Sequence, residues 1–151
     1  MRSLLKVAAA ALVLAAGFVL VPVLGYAAGD VHKLALQISD NDKGKMNTVL
    51  NVAANVSRYY SEQGDEIQIE IVAFNAGLHM LRADTSPVRE RLESFSKSMP
   101  NVTFDACKNT MDAMARKEGK EPPMLPVSHV VPAGVVRLME LDKQGWTIVR
   151  P

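Results

Sequence analysis

Cys107 is the only cysteine of the 151-residue chain, and it lies where a predicted strand, Val102–Ala106, gives way to a predicted helix that begins near Asn109. At a helix N-terminus the unpaired amides and the helix dipole favour the thiolate, which is the nucleophilic form of cysteine. Cys107 is therefore the candidate catalytic residue. The alternative is a buried cysteine that only packs, which is the more common state of a single cysteine.

Strands and helices alternate along the chain around Cys107. Short apolar runs bounded by turn residues predict five strands, at 32–38, 67–74, 102–106, 127–131 and 147–150. Helices are predicted from the cap Asp42 to Gly64, from Thr85, Ser86 and Pro87 to Met99, from Asn109 to Lys117, and from Pro132 to Lys143, with a short helical stretch at 79–82. Regular alternation predicts parallel pairing through right-handed crossovers. The expected fold is a three-layer α/β sandwich with a mainly parallel sheet of about five strands.

The segments that follow each strand are the predicted functional edge, because ligands of open α/β sheets bind beyond the carboxyl ends of the strands. Asn75 and Gly77 follow the second strand, and Lys108, Asn109 and Thr110 directly follow Cys107. These five residues are the candidates for binding a ligand or stabilising a sulfur anion at Cys107.

The N-terminus has the pattern of a secretory signal peptide. Arg2 and Lys6 form a basic start, no charged residue occurs between Val7 and Gly29, and Gly25 and Ala27 place small residues at the two positions that a signal peptidase reads. We expect residues 1–27 to be removed and residues 28–151 to form one domain in the bacterial periplasm or another exported location. The alternative is an uncleaved segment that anchors this domain to the membrane.

Composition excludes several classes of function. Loss of Arg2 and Lys6 leaves 15 basic and 16 acidic residues, a net charge of −1, so no basic surface for nucleic acid is expected. One cysteine cannot form a disulfide within the chain, and its thiol has no intramolecular partner in an oxidising compartment. The sequence has neither a phosphate-binding loop nor a recognisable serine, histidine and acid motif, so nucleotide-dependent and hydrolase activities have no support.

A soft-metal site is a second hypothesis. Met80, Met111, Met114 and His79 lie close in sequence to the predicted edge, and together with Cys107 they offer the thioether, imidazole and thiolate ligands that suit Cu(I). The two methionines at helical spacing are more typical of a core, and no paired cysteine or histidine spacing occurs. We therefore predict neither a metal nor a cofactor.

A non-catalytic ligand- or protein-interaction module is the third hypothesis. Asn47, Asn51 and Asn55 recur every four residues and form one stripe of the first helix, facing solvent, a pocket or a neighbouring subunit. His32 and His129 fall inside strands and are expected to be packed there. In such a module Cys107 is structural.

Four segments carry a resemblance to a known family: SDNDKGKMNTVLNVAANV, IEIVAFNAGLHMLRADTSPV, FDACKNTM and LPVSHVVPAGVVRLMELDKQGWTIVRP. They resemble the exported branch of the DsrE/DsrF-like family, sulfur-relay proteins related to YchN, over nearly all of residues 28–151. Cys107 matches the family's cysteine position. The chain differs from the family pattern at Lys108, where relatives usually have glycine, and at Asn75 and Ala76, where they usually have glycine and proline.

The resemblance implies a five-stranded α/β fold, a homo-oligomer, and a cysteine that carries sulfur as a persulfide. On this hypothesis Cys107 accepts a sulfane sulfur atom and passes it to another thiol, with no metal involved. The chain is then at most a sulfurtransferase-like carrier, whose partner is a donor or acceptor protein or a small thiol. The chemistry requires an exposed, readily ionised thiol, with the amides near Asn109 and Thr110 stabilising the anion.

Overall fold

The computed structural model describes residues 31–151, and the predicted signal peptide and its cleavage site lie outside these residues. Five strands form one sheet in the order β4-β3-β2-β1-β5: β1 Val31–Ile38, β2 Glu66–Ala73, β3 Val102–Cys107, β4 Ser128–Val131 and β5 Thr147–Val149. Four helices alternate with them: α1 Lys43–Gln63, α2 Arg89–Ser98, α3 Lys108–Glu118 and α4 Gly134–Lys143. A 3-10 helix, Asn75–Leu81, follows β2. Within residues 31–151, no helix combines the length and the apolar character needed to cross a membrane.

Every pairing in the sheet is parallel, as the alternation of elements predicts. Strand β2 pairs with β1 along its whole length, from Glu66 opposite Val31 to Ala73 opposite Ile38. Strands β3, β4 and β5 extend the sheet on its two sides with the same direction. The predicted α/β fold with a parallel sheet of five strands is therefore confirmed.

The two faces of the sheet bury different sets of side chains. On one face, the strands pack with Met46 and Leu50 of α1 and with Leu92 and Phe95 of α2 in the main core. On the other face, a smaller buried cluster holds Ala35, Val72, Phe74, Cys107, Leu138 and Leu141. We call these the α1/α2 face and the α4 face. Cys107 belongs to the α4 face because side chains alternate along β3.

The ends of α1 follow the sequence prediction. The Asp42 carboxylate accepts a hydrogen bond from the Lys45 amide at 2.7 Å, which caps the first turn. Gly64 has φ +79° at the other end, and its N–H donates to the carbonyls of the last turn.

Two other helix starts were predicted too early. Helix α2 begins at Arg89, because the Ser86 hydroxyl donates to the Met80 carbonyl at 2.6 Å and fastens the preceding turn instead of capping the helix. Pro87 lies in that turn. Helix α4 begins at Gly134 with Ala133 as its N-cap, so Pro132 also lies before the helix.

Candidate functional site

Cys107 is both the last residue of β3 and the N-cap of α3. Its side chain makes no capping hydrogen bond, and the residue is only 5% exposed. The exposed thiol that a sulfur relay requires is therefore not present in this conformation. The reason is the position of Cys107 in the buried cluster of the α4 face, which also contains Phe74 and Leu138.

A cleft of about 470 Å³ reaches Cys107 from the carboxyl edge of the sheet. Its walls come from the end of β2, from one side of α3 and from the first turn of α4. Four of the six predicted site residues line it together: Asn75, Cys107, Asn109 and Thr110. The rule that ligand sites follow the carboxyl ends of parallel strands accounts for this convergence.

Two hydrogen bonds fix the walls of the cleft. The Asn75 amide donates to the Thr110 hydroxyl at 3.0 Å, and Asn75 itself has φ +49°, a left-handed conformation that asparagine tolerates. The Asn109 amide donates to the Pro132 carbonyl at 3.3 Å. That amide was expected to stabilise a sulfur anion, but it is paired within the fold.

Lys108 and Gly77 do not line the cleft. The Lys108 ammonium forms an ion pair with Asp112 one turn further along α3, and this contact raises the pKa of Lys108. Lys117, from the last turn of α3, supplies the cation of the cleft instead. Gly77 is required for packing, because a Cβ there would lie 2.2 Å from the Ile38 carbonyl oxygen.

A buried ionic cluster lies on the same face, and sequence reasoning missed it. Arg137 of α4 donates two hydrogen bonds to the Glu70 carboxylate, at 2.5 and 2.8 Å. Asp105 Oδ2 lies 3.5 Å from Arg137 Nε, and among the residues that the structure describes it has no hydrogen-bond partner. Glu70 and Asp105 are each 5% exposed. The available signal was an acidic residue inside each of two otherwise apolar strands, since a buried charge must be paired or neutralised.

The two carboxyl groups of this cluster have opposite pKa shifts. Burial, followed by the neighbouring Glu70, raises the pKa of Asp105 to about 8. Burial is the largest single effect on Glu70 and opposes its ionisation, but the hydrogen bonds with Arg137 and with Asp105, together with the charge of Arg137, hold the pKa of Glu70 below its ordinary value. At neutral pH the cluster therefore contains an ionised Glu70, a charged Arg137 and a protonated Asp105.

The proposed copper ligands do not converge on Cys107. Met114 lines the cleft, but Met80 is fully buried in the main core and His79 Nδ1 lies 2.7 Å from the Thr85 hydroxyl. Across residues 31–151, no three or more His, Cys, Asp or Glu side chains are grouped so that they could hold a metal ion.

The asparagine stripe of α1 is partly solvated, since Asn51 and Asn55 are exposed, and partly a contact with α2. The side-chain carbonyls of Asn47 and Asn51 each accept a hydrogen bond from Arg91 of α2 at 2.6 Å, and Asn55 accepts one from Arg58. His129 was expected to be packed but is exposed at the β4 edge.

A larger cleft, of about 990 Å³, opens at the opposite edge of the sheet, where the strands begin, and is lined by residues of both α1 and α4. Glu70 and Arg137 of the ionic cluster line it, together with Thr103 and Trp146. Helix α4 thus contributes to both clefts.

Comparison with known proteins supports the architecture. No family model matches the chain, and no curated protein matches it. A solved structure of a protein of unknown function from Methanobacterium thermoautotrophicum is 24% identical, with a TM-score of 0.67 over 80% of this chain and 99% of that chain. At this level of identity the likeness shows the fold alone, and with the five-stranded sheet it establishes this chain as an α/β protein of that architecture.

Proposed function

We propose that this protein is an exported member of the DsrE/DsrF-like family that carries sulfane sulfur as a persulfide on Cys107. The observation that carries the proposal is the position of the single cysteine at the carboxyl end of β3, within a cleft that Asn75, Asn109 and Thr110 also line. The sequence resemblance is the basis for proposing persulfide chemistry, and the cleft is where the sulfur donor or acceptor would approach Cys107.

The transfer needs no metal and no net oxidation. The Cys107 thiolate attacks the outer sulfur of a donor persulfide, R–S–SH. The S–S bond of the donor breaks, R–S⁻ leaves with the bonding electrons, and Cys107–S–SH forms. An acceptor thiolate then attacks the outer sulfur of this persulfide, and Cys107 leaves as the thiolate.

The depth of Cys107 restricts its partners. A volume of about 470 Å³ falls in the range of small-molecule sites, roughly 300–1,000 Å³. A small thiol or an extended segment of a donor protein fits such a cleft, whereas a cysteine on a rigid convex surface does not reach a residue that is 5% exposed.

Self-association is part of the proposal. Val135, Val136 and Met139 of α4 are 50–56% exposed, and they form an apolar strip that begins at the cleft wall with Val135 and continues along the helix. An apolar strip of this kind favours burial against a second copy of the chain.

Mass spectrometry tests sulfur transfer directly. After incubation with a sulfane-sulfur donor, the wild-type protein is expected to gain the mass of one sulfur atom, reversibly by thiol reduction. The matched control is Cys107→Ser, which keeps the shape and is expected to gain nothing. An unmodified wild type, or an equal gain on Cys107→Ser, contradicts the proposal.

Export has its own test. The mature protein from a periplasmic fraction is expected to begin at Ala28, and a full-length chain in the membrane fraction indicates the anchored alternative.

The burial of Cys107 favours one alternative function, a ligand- or protein-interaction module in which the cysteine only packs. Under native conditions a small thiol reagent is then expected to label Cys107 only as fast as the whole protein unfolds. Labelling that is faster than unfolding, measured at the same pH, excludes a purely structural Cys107.

A further inference from the structure

Helix α4 covers the part of the sheet that contains Cys107. Its first turn, Ala133 to Val135, forms one wall of the cleft, and Leu138 and Leu141 belong to the same buried cluster as Cys107. A Cβ on Gly134 would lie 3.0 Å from the Phe74 side chain, so the helix start is closely packed on the sheet. Displacement of α4 would therefore expose the thiol more fully than the cleft does.

Arg137 connects α4 to charged groups of the sheet. It hydrogen bonds to Glu70 of β2 and lies 3.5 Å from Asp105 of β3. Asp105 precedes Cys107 by two residues in the same strand, so both side chains point to the α4 face. The same helix consequently covers the acidic cluster and the thiol.

The cluster contains two carboxyl groups, and the guanidinium of Arg137 hydrogen bonds to only one of them. Both oxygens of Glu70 are bonded to Arg137, whereas Asp105 Oδ2 is buried and has no hydrogen-bond partner within residues 31–151. Two other ionisable groups face the cluster: Glu140 of α4, 3.8 Å from Arg137, and the exposed His129 of β4, opposite Asp105 in the sheet. On the β1 side, the residue paired with Glu70 is the apolar Ala35. None of these supplies a second buried cation to Asp105.

We propose that Asp105 is a positioning residue that controls access to Cys107 through Arg137 and α4. While Asp105 carries a proton, α4 stays closed on the sheet. Loss of that proton favours displacement of α4, because displacement lets water reach and stabilise the otherwise buried carboxylate. The use of this opening in sulfur transfer rests on the proposed function, whereas the opening itself does not.

The expected pH dependence follows from the two states of Asp105. In the closed state its pKa is raised to about 8, and in an open, hydrated state it returns toward the ordinary value of 3.8. Because the pKa of Asp105 is higher in the closed state, its proton stabilises the closed state in full when the pH is below 3.8. This stabilisation is lost as the pH rises through about 8. Opening therefore increases up to that pH and then levels off.

The test measures how fast dipyridyl disulfide, which reacts with thiols in acid and in base, modifies Cys107 in the native protein. Dividing this rate by the rate for the urea-unfolded protein at each pH removes the intrinsic reactivity of the thiol. For the wild type we expect this ratio to rise about tenfold or more between pH 6 and pH 8, since one pKa unit corresponds to a factor of ten, and to level off above that.

Asp105→Asn keeps the side-chain shape without a titrating proton, and its ratio is expected to be flat over the same range. The matched control is Asp142→Asn, which removes an exposed carboxylate near the end of α4 and is expected to behave as the wild type. A flat ratio for the wild type, or an equal rise for Asp105→Asn, overturns the proposal.

Carboxyl ¹³C NMR of the wild type keeps the proposal testable if Asp105→Asn does not fold. An Asp105 resonance that titrates near its ordinary value overturns the proposal, and one that titrates near 8 supports it. The sulfur-adduct experiment stands apart from these measurements: sulfur transfer with a flat ratio refutes only the control by Asp105, and a pH-dependent ratio without transfer refutes only the carrier function.

Discussion

The two faces of the sheet differ in where their buried charges lie: those of the α4 face are in the sheet itself, whereas Arg82, 2% exposed, pairs with Asp84 and Glu118 beside the main core. In the described part of the chain, the α1/α2 face has a continuous core of 21 buried apolar residues, whereas the α4 face has a cluster of six and, beside it, the ionic cluster of Glu70, Asp105 and Arg137. Burial of apolar surface stabilises at any pH, but contacts between ionisable groups depend on protonation. The α1/α2 face is therefore the larger apolar scaffold, and on our proposal the cover of the face that carries the cysteine responds to pH.

The largest effect is expected from the scaffold face. Phe104 is 1% exposed and packs edge to face against Phe95, with ring centroids 6.3 Å apart. Phe104→Ala is expected to lower the free energy of unfolding by about 3–5 kcal/mol, because it removes buried apolar surface and leaves a cavity. Urea denaturation measures this loss. A loss below about 1 kcal/mol would mean that the main core does not carry the stability, and the comparison of the faces would fail.

Arg137→Met should destabilise somewhat less, by about 2–3 kcal/mol, because it leaves Glu70 buried without its cation while the partly exposed Arg137 site admits water. This variant is expected to speed labelling of Cys107 more than Phe104→Ala does when both are compared at equal stability. Arg116→Met, at an exposed position of α3, is the control and is expected to change neither measurement. Equal labelling of the Phe104 and Arg137 variants would contradict a local role of α4.

A change of pH should have a smaller effect on the free energy of unfolding, and this effect should come from the α4 face. Since the pKa of Asp105 is raised to about 8, its proton stabilises the folded state in acid, and this stabilisation is lost as the pH rises through 8. The free energy of unfolding is expected to fall by about 1–2 kcal/mol from pH 6 to pH 9 in the wild type. In Asp105→Asn the fall should be absent. Urea titrations at both pH values provide the measurement, and parallel behaviour of the two proteins would refute this assignment of the proton.

The smallest effect on stability is expected on the outer side of α4. Met139 is 56% exposed, so Met139→Lys should change the free energy of unfolding by less than about 0.5 kcal/mol. If the apolar strip binds a second copy, the same variant should reduce the mass measured by light scattering. Lys143→Met, at the exposed end of the helix, is the control. An unchanged mass for Met139→Lys would remove the strip from the proposed interface.

The fold was predictable because it depends on patterns that are local in the chain. Short apolar runs alternate with helical segments, and this alternation is sufficient to predict parallel pairing and the edge at which Cys107, Asn75 and Thr110 meet. The start of α2 was not predictable in this way, because the Ser86 hydroxyl donates to the more distant Met80 carbonyl and accepts from the Val88 amide, and the helix begins only at Arg89.

The site was predicted less completely, because its charges pair over distances that sequence patterns do not report. Glu70 and Arg137 are 67 residues apart, and no local motif joins them. Lys108 was assigned to the cleft from its place beside Cys107, although Asp112, four residues later, was visible as its partner. The acids inside β2 and β3 were the overlooked indication that this face contains a buried network.

The order of elements along the chain has a consequence for synthesis. Strand β5 pairs with β1, and α4 and β5 follow all other elements described here, so the cover over Cys107 is made last. A chain that emerges from its N-terminus forms β3 before α4 exists to pack on it. During this interval α4 does not protect the thiol from oxidation or from forming a disulfide with another chain. This protection begins when α4 packs on the sheet.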